Sequence, residues 1–245
     1  MNKVIIVMPA YKAEKTLEDT YKNLPQVYQE VIVCDDAGGD RTFDVSKSLK
    51  LTSLRHHKNQ GYGGNQKTLY KLALEHGANI IIMVHPDNQY STDCIPEMIK
   101  KINNGSHLVI GSRMKTALKN HMPFWKYVSN RFLTVIQNFV FKTNLSEFHS
   151  GLRAYNAHTL KTIPYQMFSN DFVFDSEMIA CIQAYGYSIT EVDTECFYND
   201  TVSSINLRRS IRYGLETLKT LLKYMWGTYS PKRLINTGLF AENNV

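Results

Sequence analysis

Ile80-Ile81-Ile82-Met83-Val84-His85-Pro86-Asp87-Asn88-Gln89 fixes how the rest of the chain reads. Five successive apolar residues with no polar alternation predict a strand covered on both faces, which is the habit of parallel sheets. The polar turn behind them predicts a loop at the strand's carboxyl end, where open α/β sheets bind their ligands. Working toward the N-terminus, the same grammar occurs three more times. Residues 4–8 run into Pro9-Ala10-Tyr11, residues 30–34 into Asp35-Asp36, and the weaker run 51–56 into Asn59-Gln60-Gly61. Toward the C-terminus, residues 107–110 predict a fifth strand. Helical patterns fall between them, over 14–23, after Arg41, over 64–76 and over 92–103. The expectation is an α/β fold: a mostly parallel, Rossmann-like sheet flanked by helices, with four polar clusters on one edge forming one crevice.

After Gly111 the alternation stops. A long aromatic-rich helix is predicted over 123–142, a strand over 152–155, a helix over 174–185, a strand over 188–192 and a last helix over 207–226. No linker, repeat or low-complexity segment divides these elements. The reading is one unit over 1–230, with a first half 1–111, a second half 112–230 and a tail 231–245.

Of the 245 residues, 43% are hydrophobic and 20% charged, which excludes a disordered chain and permits one substantial core. The formal net charge of +6 suits an anionic partner: a nucleotide, a lipid phosphate, an acidic leaflet or nucleic acid. No nucleic-acid module is present, so nucleic acid is not expected. Cys34, Cys94, Cys181 and Cys196 lack zinc or C-x-x-C spacing and read as reduced thiols of a cytoplasmic protein. The apolar run before Pro9 is too short for a signal-peptide core. The richest apolar run, 132–141, is interrupted by Thr134, Gln137 and Asn138, so no membrane-spanning helix is expected. The protein is expected in the cytoplasm, either soluble or peripheral on a membrane; its oligomeric state is left open.

Three segments carry candidate chemistry. Asp35-Asp36-Ala37-Gly38-Gly39-Asp40 is either a turn with an aspartate cap or a pair of carboxylates for a nucleobase N–H and a ribose hydroxyl. A nicotinamide enzyme would need G-x-G-x-x-G after the first strand, and Pro9-Ala10-Tyr11-Lys12 lacks it. The glycine-rich stretch 59–67 opens a helix, where it either admits a ligand to the backbone or makes a tight turn; it is not a P-loop. His85 to Gln89 is either a Pro-Asp turn or a cation site. Asp87 and Gln89 offer oxygens to a hard cation, and His85 adds an imidazole that Mn²⁺ tolerates better than Mg²⁺.

Taken in order, these segments resemble family 2 glycosyltransferases of the GT-A fold, in the branch of dolichyl-phosphate mannosyltransferase-like and polyprenyl-phosphate glycosyltransferases. Pro9-Ala10-Tyr11 resembles that family's P-A-Y-N-E, and Val33-Cys34-Asp35-Asp36 its V-V-D-D-G-S-T-D. His85 to Gln89 stands at its D-A-D-x-Q metal motif. Gly111-Ser112-Arg113 resembles G-S-R, and Ser150-Gly151-Leu152-Arg153-Ala154-Tyr155 resembles S-G-F-R-A. Glu191-Val192 and Ser203-Ser204-Ile205 resemble the later E-V-P and S-S-I. The matches run from about residue 4 to 225. Three departures stand out: His85 replaces the first Asp of the metal motif, Lys12-Ala13 replaces N-E, and Phe197 falls where an Arg often precedes Tyr.

The resemblance implies an inverting displacement of a sugar from a UDP- or GDP-sugar. Pro9, Ala10, Tyr11, Asp35, Asp36, Asn59, Gly61 and Lys67 would hold the donor. Asp87 and Gln89, with His85, would hold a Mn²⁺ or Mg²⁺ ion against the departing diphosphate. A polyprenyl phosphate acceptor is already anionic and needs cations, for which Arg113, Arg153 and Lys126 with Ser129 are candidates. A hydroxyl of a cell-surface polysaccharide precursor would need a base, and Glu147 is then either that base or the group that orients Arg153. The catalytic set is thus Asp87, Glu147 and Arg153. A non-catalytic nucleotide-sugar-binding protein is a third reading, prompted by His85. The aromatic and basic residues of 123–142 and 207–226 either pack in the core or meet an anionic membrane.

Overall fold

The computed structural model describes residues 2–198 and 207–236; Ser203-Ser204-Ile205 and the last part of the expected tail lie outside them. Strands β1 (Val4–Ala10), β2 (Glu30–Asp35), β3 (Thr52–Arg55) and β4 (Ile80–Met83) lie parallel, alternating with helices α1 (Leu17–Lys22), α2 (Thr42–Ser48) and α3 (Tyr62–Glu75). Helix α4 (Ile95–Asn103) leads to β5 (Leu108–Ser112). Every residue of β1 and β4 is buried, as a sheet covered on both faces requires. Alternate side chains divide between two core layers. Ile5, Val7, Ile81 and Met83 pack toward α3 and its neighbours, while Ile6, Met8, Ile80 and Ile82 meet Leu17, Met98 and Ile102. Each such aliphatic side chain stabilises the fold by roughly 1.5–3 kcal/mol.

The second half joins the same sheet. Helix α5 (Phe124–Phe141) precedes β6 (Arg153–Asn156), and α6 (Ala157–Thr162) and α7 (Phe174–Ala184) precede β7 (Ile189–Asp193). The strand order is β3-β2-β1-β4-β6-β5-β7. β6 runs antiparallel to both β4 and β5, so the fourth and fifth strands of the sequence are not neighbours. Helix α8 (Leu207–Met225) packs on α5 and α7. Part of the expected tail forms α9 (Pro231–Asn236), whose Leu234 enters the core: a short helix with one buried anchor leaves no period to read. No described helix is long and apolar enough to cross a membrane.

The carboxyl ends of β1, β2 and β4 share one edge. Three non-glycine residues there, Lys12, Ala37 and Asn88, adopt φ of 54°, 55° and 55°. Left-handed backbone is uncommon outside glycine, and its clustering at three adjacent loops marks the edge as one held by tertiary contacts.

Candidate functional site

Hydrogen bonds tie the edge loops together. Asn65 Nδ2, in the first turns of α3, donates to Cys34 O (3.0 Å) and Ala10 O (3.4 Å), bridging the ends of β1 and β2. Thr16 Oγ1 donates to Pro86 O (2.5 Å), joining the loop after β1 to the loop after β4. The Asp36 carboxylate accepts the amides of Gln60 (2.8 Å) and Gly61 (3.0 Å) and lies 2.6 Å from His56 Nδ1, while Asn59 Nδ2 donates to Asp36 O (3.1 Å). Asp36, Asn59 and Gly61 therefore meet, with Asp36 clamping the third loop onto the second. Asp35 is equally engaged, accepting Gly38 N (3.0 Å) and pairing with Arg55 Nε (2.9 Å). Pro9 and Ala10 end β1 as buried strand residues, and Tyr11 beyond them is exposed, with Lys12 Nζ over its ring, 5.5 Å from the centroid.

The glycine stretch serves packing. A Cβ on Gly61, whose φ is 84°, would lie 2.5 Å from Asn170 O, and one on Gly63 would lie 2.4 Å from Ser169 O. The amide of Gly63 donates to Asn170 O (2.8 Å), and Lys67 Nζ donates to Phe168 O and to Asn170 Oδ1 (2.8 Å). Burial lowers the Lys67 pKa. Of the two readings of this stretch, the contacts are those of a close structural turn against residues 168–170, and Lys67 is committed to that seam.

The loop after β4 is differently built. Asp87 is half-buried, and among the described residues its carboxylate accepts only Gln89 N (3.1 Å), from its own loop. Burial raises its pKa against the pull of His85, the signature of a carboxylate short of positive partners. The His85 ring stacks on Tyr62 with centroids 5.5 Å apart. Tyr62 Oη donates to Asp175 Oδ2 (2.7 Å) and lies 3.3 Å from His85 Nε2. With its proton committed to Asp175, the phenol accepts from Nε2–H, which leaves the Nδ1 lone pair of His85 open. Gly151 makes room for this ring: a Cβ there would stand 2.5 Å from Cδ2 and 2.8 Å from Nε2. Gln89 is held through its carbonyl, which accepts Phe197 N (2.9 Å), and its side-chain amide has no hydrogen-bond partner among the described residues. A carboxylate oxygen, an amide oxygen and an imidazole nitrogen on one loop fit a divalent cation, Mn²⁺ better than Mg²⁺. No three His, Cys, Asp or Glu side chains converge among the described residues, so such an ion would draw further oxygens from its ligand.

Arg153 lies behind this loop, fully buried. Its guanidinium donates to Ser150 O (2.9 Å) and Phe148 O (3.1 Å) and pairs with Asp175 (3.4 Å). It does not line the cleft; through Asp175 and Tyr62 it positions His85. Glu147, also fully buried, accepts Arg113 Nε (2.8 Å), Arg113 N (3.1 Å) and Asn130 Nδ2 (2.7 Å). It orients Arg113, not Arg153. Burial opposes the Arg113 charge, but Glu147, Tyr90, Tyr198 and Cys196 together raise the guanidinium well above its ordinary pKa. Arg113 also donates to His149 O (3.1 Å) and lies over the rings of Tyr90 and Tyr198, 5.9 Å from each centroid. Burial, then the field of Arg113, lowers the Lys126 pKa, and the Lys126 ammonium lies over the ring of Trp125, 5.4 Å from its centroid. Ser129 does not join them: its hydroxyl donates to Trp125 O (2.8 Å) within α5.

Tyr62, Tyr90, His149, Asn170 and Asp175 belong to the site and were not predicted. Tyr62 lies within the glycine stretch, and Tyr90 and His149 flank the segments 85–89 and 150–155, but nothing in those segments marks them; Asn170 and Asp175 lie in no motif, and only the pairing of Asp175 with a buried arginine distant in sequence betrays it.

Residues 5–163 match the family model of glycosyl transferase family 2. An uncharacterized protein of Methanocaldococcus jannaschii is 32% identical over 206 residues, covering 81% of this chain and 83% of its own. UDP-N-acetylglucosamine–dolichyl-phosphate N-acetylglucosaminyltransferase of Methanococcus voltae is 28% identical, covering 80% of this chain and 86% of its own. Undecaprenyl-phosphate mannosyltransferase of Micrococcus luteus is 25% identical, covering 78% and 82%. Among solved structures, glucosyl-3-phosphoglycerate synthase of Mycobacterium tuberculosis, crystallised with Mn²⁺, UDP and phosphoglyceric acid, superposes with a TM-score of 0.69 at 14% identity over 91% of this chain and 78% of its own. That likeness shows the shared GT-A fold. The match over well above half of the sequence, on the fold and loop edge described above, makes the chain a member of glycosyl transferase family 2 and a glycosyltransferase.

Proposed function

We propose that this glycosyltransferase moves a sugar from a nucleoside diphosphate sugar to a polyprenyl phosphate at the cytoplasmic face of a membrane. One observation carries the choice of acceptor: Glu147, the only predicted base, is buried with both oxygens engaged by Arg113 and Asn130. A hydroxyl acceptor needs a group to take its proton, whereas a phosphate oxygen is already anionic at neutral pH and needs only cations. Arg113, held by Glu147, and Lys126, whose charge feels that of Arg113, are those cations. The names of the Methanococcus voltae and Micrococcus luteus relatives support the same class of acceptor.

In this reading, residues 1–111 form the donor side, where Tyr11 offers an aromatic platform and the Asp36 clamp fixes the loops around it. Residues 112–230 form the acceptor side. Asp87, His85 and Gln89 would hold a divalent cation, which supplies positive charge to the departing diphosphate. Mn²⁺ with UDP in the structural relative supports the ion and, with the Methanococcus voltae enzyme, favours a uridine donor. Arg153, Asp175 and Tyr62 keep His85 oriented, and Arg113 with Lys126 brings the acceptor phosphate to the sugar.

The test mixes purified protein with labelled UDP- and GDP-sugars and a polyprenyl phosphate, with Mn²⁺, Mg²⁺ or chelator. Label should enter the organic phase with Mn²⁺, and Asp87→Asn should abolish it while the protein stays folded. Transfer confined to a hydroxyl acceptor, or turnover unchanged in Asp87→Asn, overturns the reading.

A further inference from the structure

Helix α5 is apolar on both faces. Its inner face buries Asn130, Leu133, Thr134, Gln137 and Phe141, while Phe124, Val128, Phe132, Val135 and Phe139, spaced by four, four, three and four, face solvent. Phe132 is 61% exposed and Phe139 85%. α8 repeats the pattern: Thr217, Thr220 and Leu221 are buried, and Ile211, Leu215, Leu222 and Met225, with Trp226 just beyond, are exposed. The two helices lie together, with Leu133 of α5 against Gly214 of α8 and Phe141 edge-on to Tyr224 at 4.9 Å. Two packed helices thus each turn a row of large apolar side chains to water, the kind of feature that marks an interaction surface.

Its charge names the occupant. α8 carries Arg208, Arg209, Arg212, Lys219 and Lys223 against Glu216 alone, and α5 carries Lys126 and Arg131 with no acid. Arg212 and Lys223 pair with acids of the protein, but Arg131, Arg208 and Lys219 have no carboxylate partner among the described residues. A second copy would set this cationic face against itself. A bilayer with anionic headgroups takes up the apolar stripe and neutralises its rim.

We propose that α5 and α8 lie flat on an anionic leaflet and dock the enzyme there. The proposal adds a surface to the polyprenyl phosphate reading, and the same helices explain why it matters. The inner face of α5 holds Glu147 through Asn130, and that of α8 holds His149 through Tyr213, 2.8 Å from His149 Nδ1. Acceptor cations and bilayer are then separated by about one helix diameter, roughly 10 Å.

Docking is measured without donor or acceptor, by co-sedimentation of the full chain with phosphatidylcholine vesicles, plain or containing about 30% phosphatidylglycerol. The wild type should bind the anionic vesicles at least about tenfold more tightly, and less so as salt rises. Phe132→Ser with Phe139→Ser should weaken binding at least about tenfold, with melting temperature kept because both rings are exposed. Arg208→Glu with Lys219→Glu should cost about fivefold per charge on anionic vesicles only. A wild type left in the supernatant, or a Phe variant that binds like it, overturns docking. So does a wild-type dimer that ignores vesicles and that the Phe variant splits, since the face is then an interface between copies. Transfer to a short, water-soluble prenyl phosphate is assayed separately. The Phe variant should retain it, so a failed docking and a failed transferase reading give different results.

Discussion

Gly151→Ala is a one-methyl probe of the imidazole at the proposed cation loop. The added Cβ would stand 2.5 Å from His85 Cδ2 and 2.8 Å from Nε2. Ordinary carbon contacts begin near 3.5 Å, so the ring must retreat by about 1 Å. It cannot do so and keep its place. Nε2 already lies 3.3 Å from Tyr62 Oη, and the Tyr62 hydroxyl is fixed by Asp175 at 2.7 Å. Because the ring is half-buried at a cleft and can swing outward, the stability cost should be near the low end for overpacking, about 1 kcal/mol, or roughly 2–4 °C in melting temperature. The functional cost should be larger, since about 1 Å of misplacement at a reacting centre is worth on the order of 10²-fold. The assay is kcat/KM at saturating Mn²⁺, paired with a Mn²⁺ titration read by electron paramagnetic resonance of the free ion. Both should weaken in Gly151→Ala, kcat/KM by about 10- to 100-fold. The decisive comparison is a cycle with His85→Ala, in which the extra methyl has no ring to displace and should cost almost nothing more. An equal loss in both backgrounds would refute the contact as the cause, and so would an unchanged Mn²⁺ affinity in the single variant.

Glu147→Gln removes the charge from a buried pair and should destabilise the protein by about 3–5 kcal/mol, seen as a lower denaturant midpoint; a base role would instead leave stability intact and depress turnover. Burial, followed by Arg113 and Arg153, lowers the His149 pKa from 6.5 to about 3. The unfolded chain therefore takes up a proton that the folded chain refuses, and this contribution to stability, full above 6.5, is lost as pH falls toward 3 at up to about 1.4 kcal/mol per pH unit. Chemical denaturation across that range should show a shallower slope in His149→Gln, and an identical slope would exclude His149 as its source. Burial pushes the Cys34 thiol up to about 12 and Cys94 up to about 11. At pH 8 neither should react with a thiolate-directed reagent until denaturant is added, and prompt labelling of Cys34 in the native protein would contradict its buried place in β2.

What the sequence discloses depends on whether a signal is local. β1, β2 and β4 are uninterrupted apolar runs ending in polar turns, and each predicted run coincides with a strand to within two residues. The position of β6 is not local: Arg153–Asn156 is reached through α5, and nothing in four residues says that they enter between β4 and β5. The site divides the same way. The convergence of Asp36, Asn59 and Gly61 follows from loops at one edge. That Arg153 turns away from the cleft follows from Asp175, which comes 22 residues later and accepts Tyr62 as well. The aromatic helices read equally well as core or surface, because a hydrophobic period does not say which face is turned inward; only the buried Asn130, Thr134 and Gln137 decide it.

The antiparallel β6 also governs how this protein emerges from a ribosome. With only the first 111 residues released, β4 has β1 on one side and a bare row of backbone amides and carbonyls on the other, and β5 has no partner at all. A naked edge made of Ile80, Ile81 and Ile82 is a template for pairing with the wrong chain. The nascent N-terminal half is thus a transient hazard until residue 156 arrives, and no stop codon or protease cut near Gly111 should yield a well-behaved fragment.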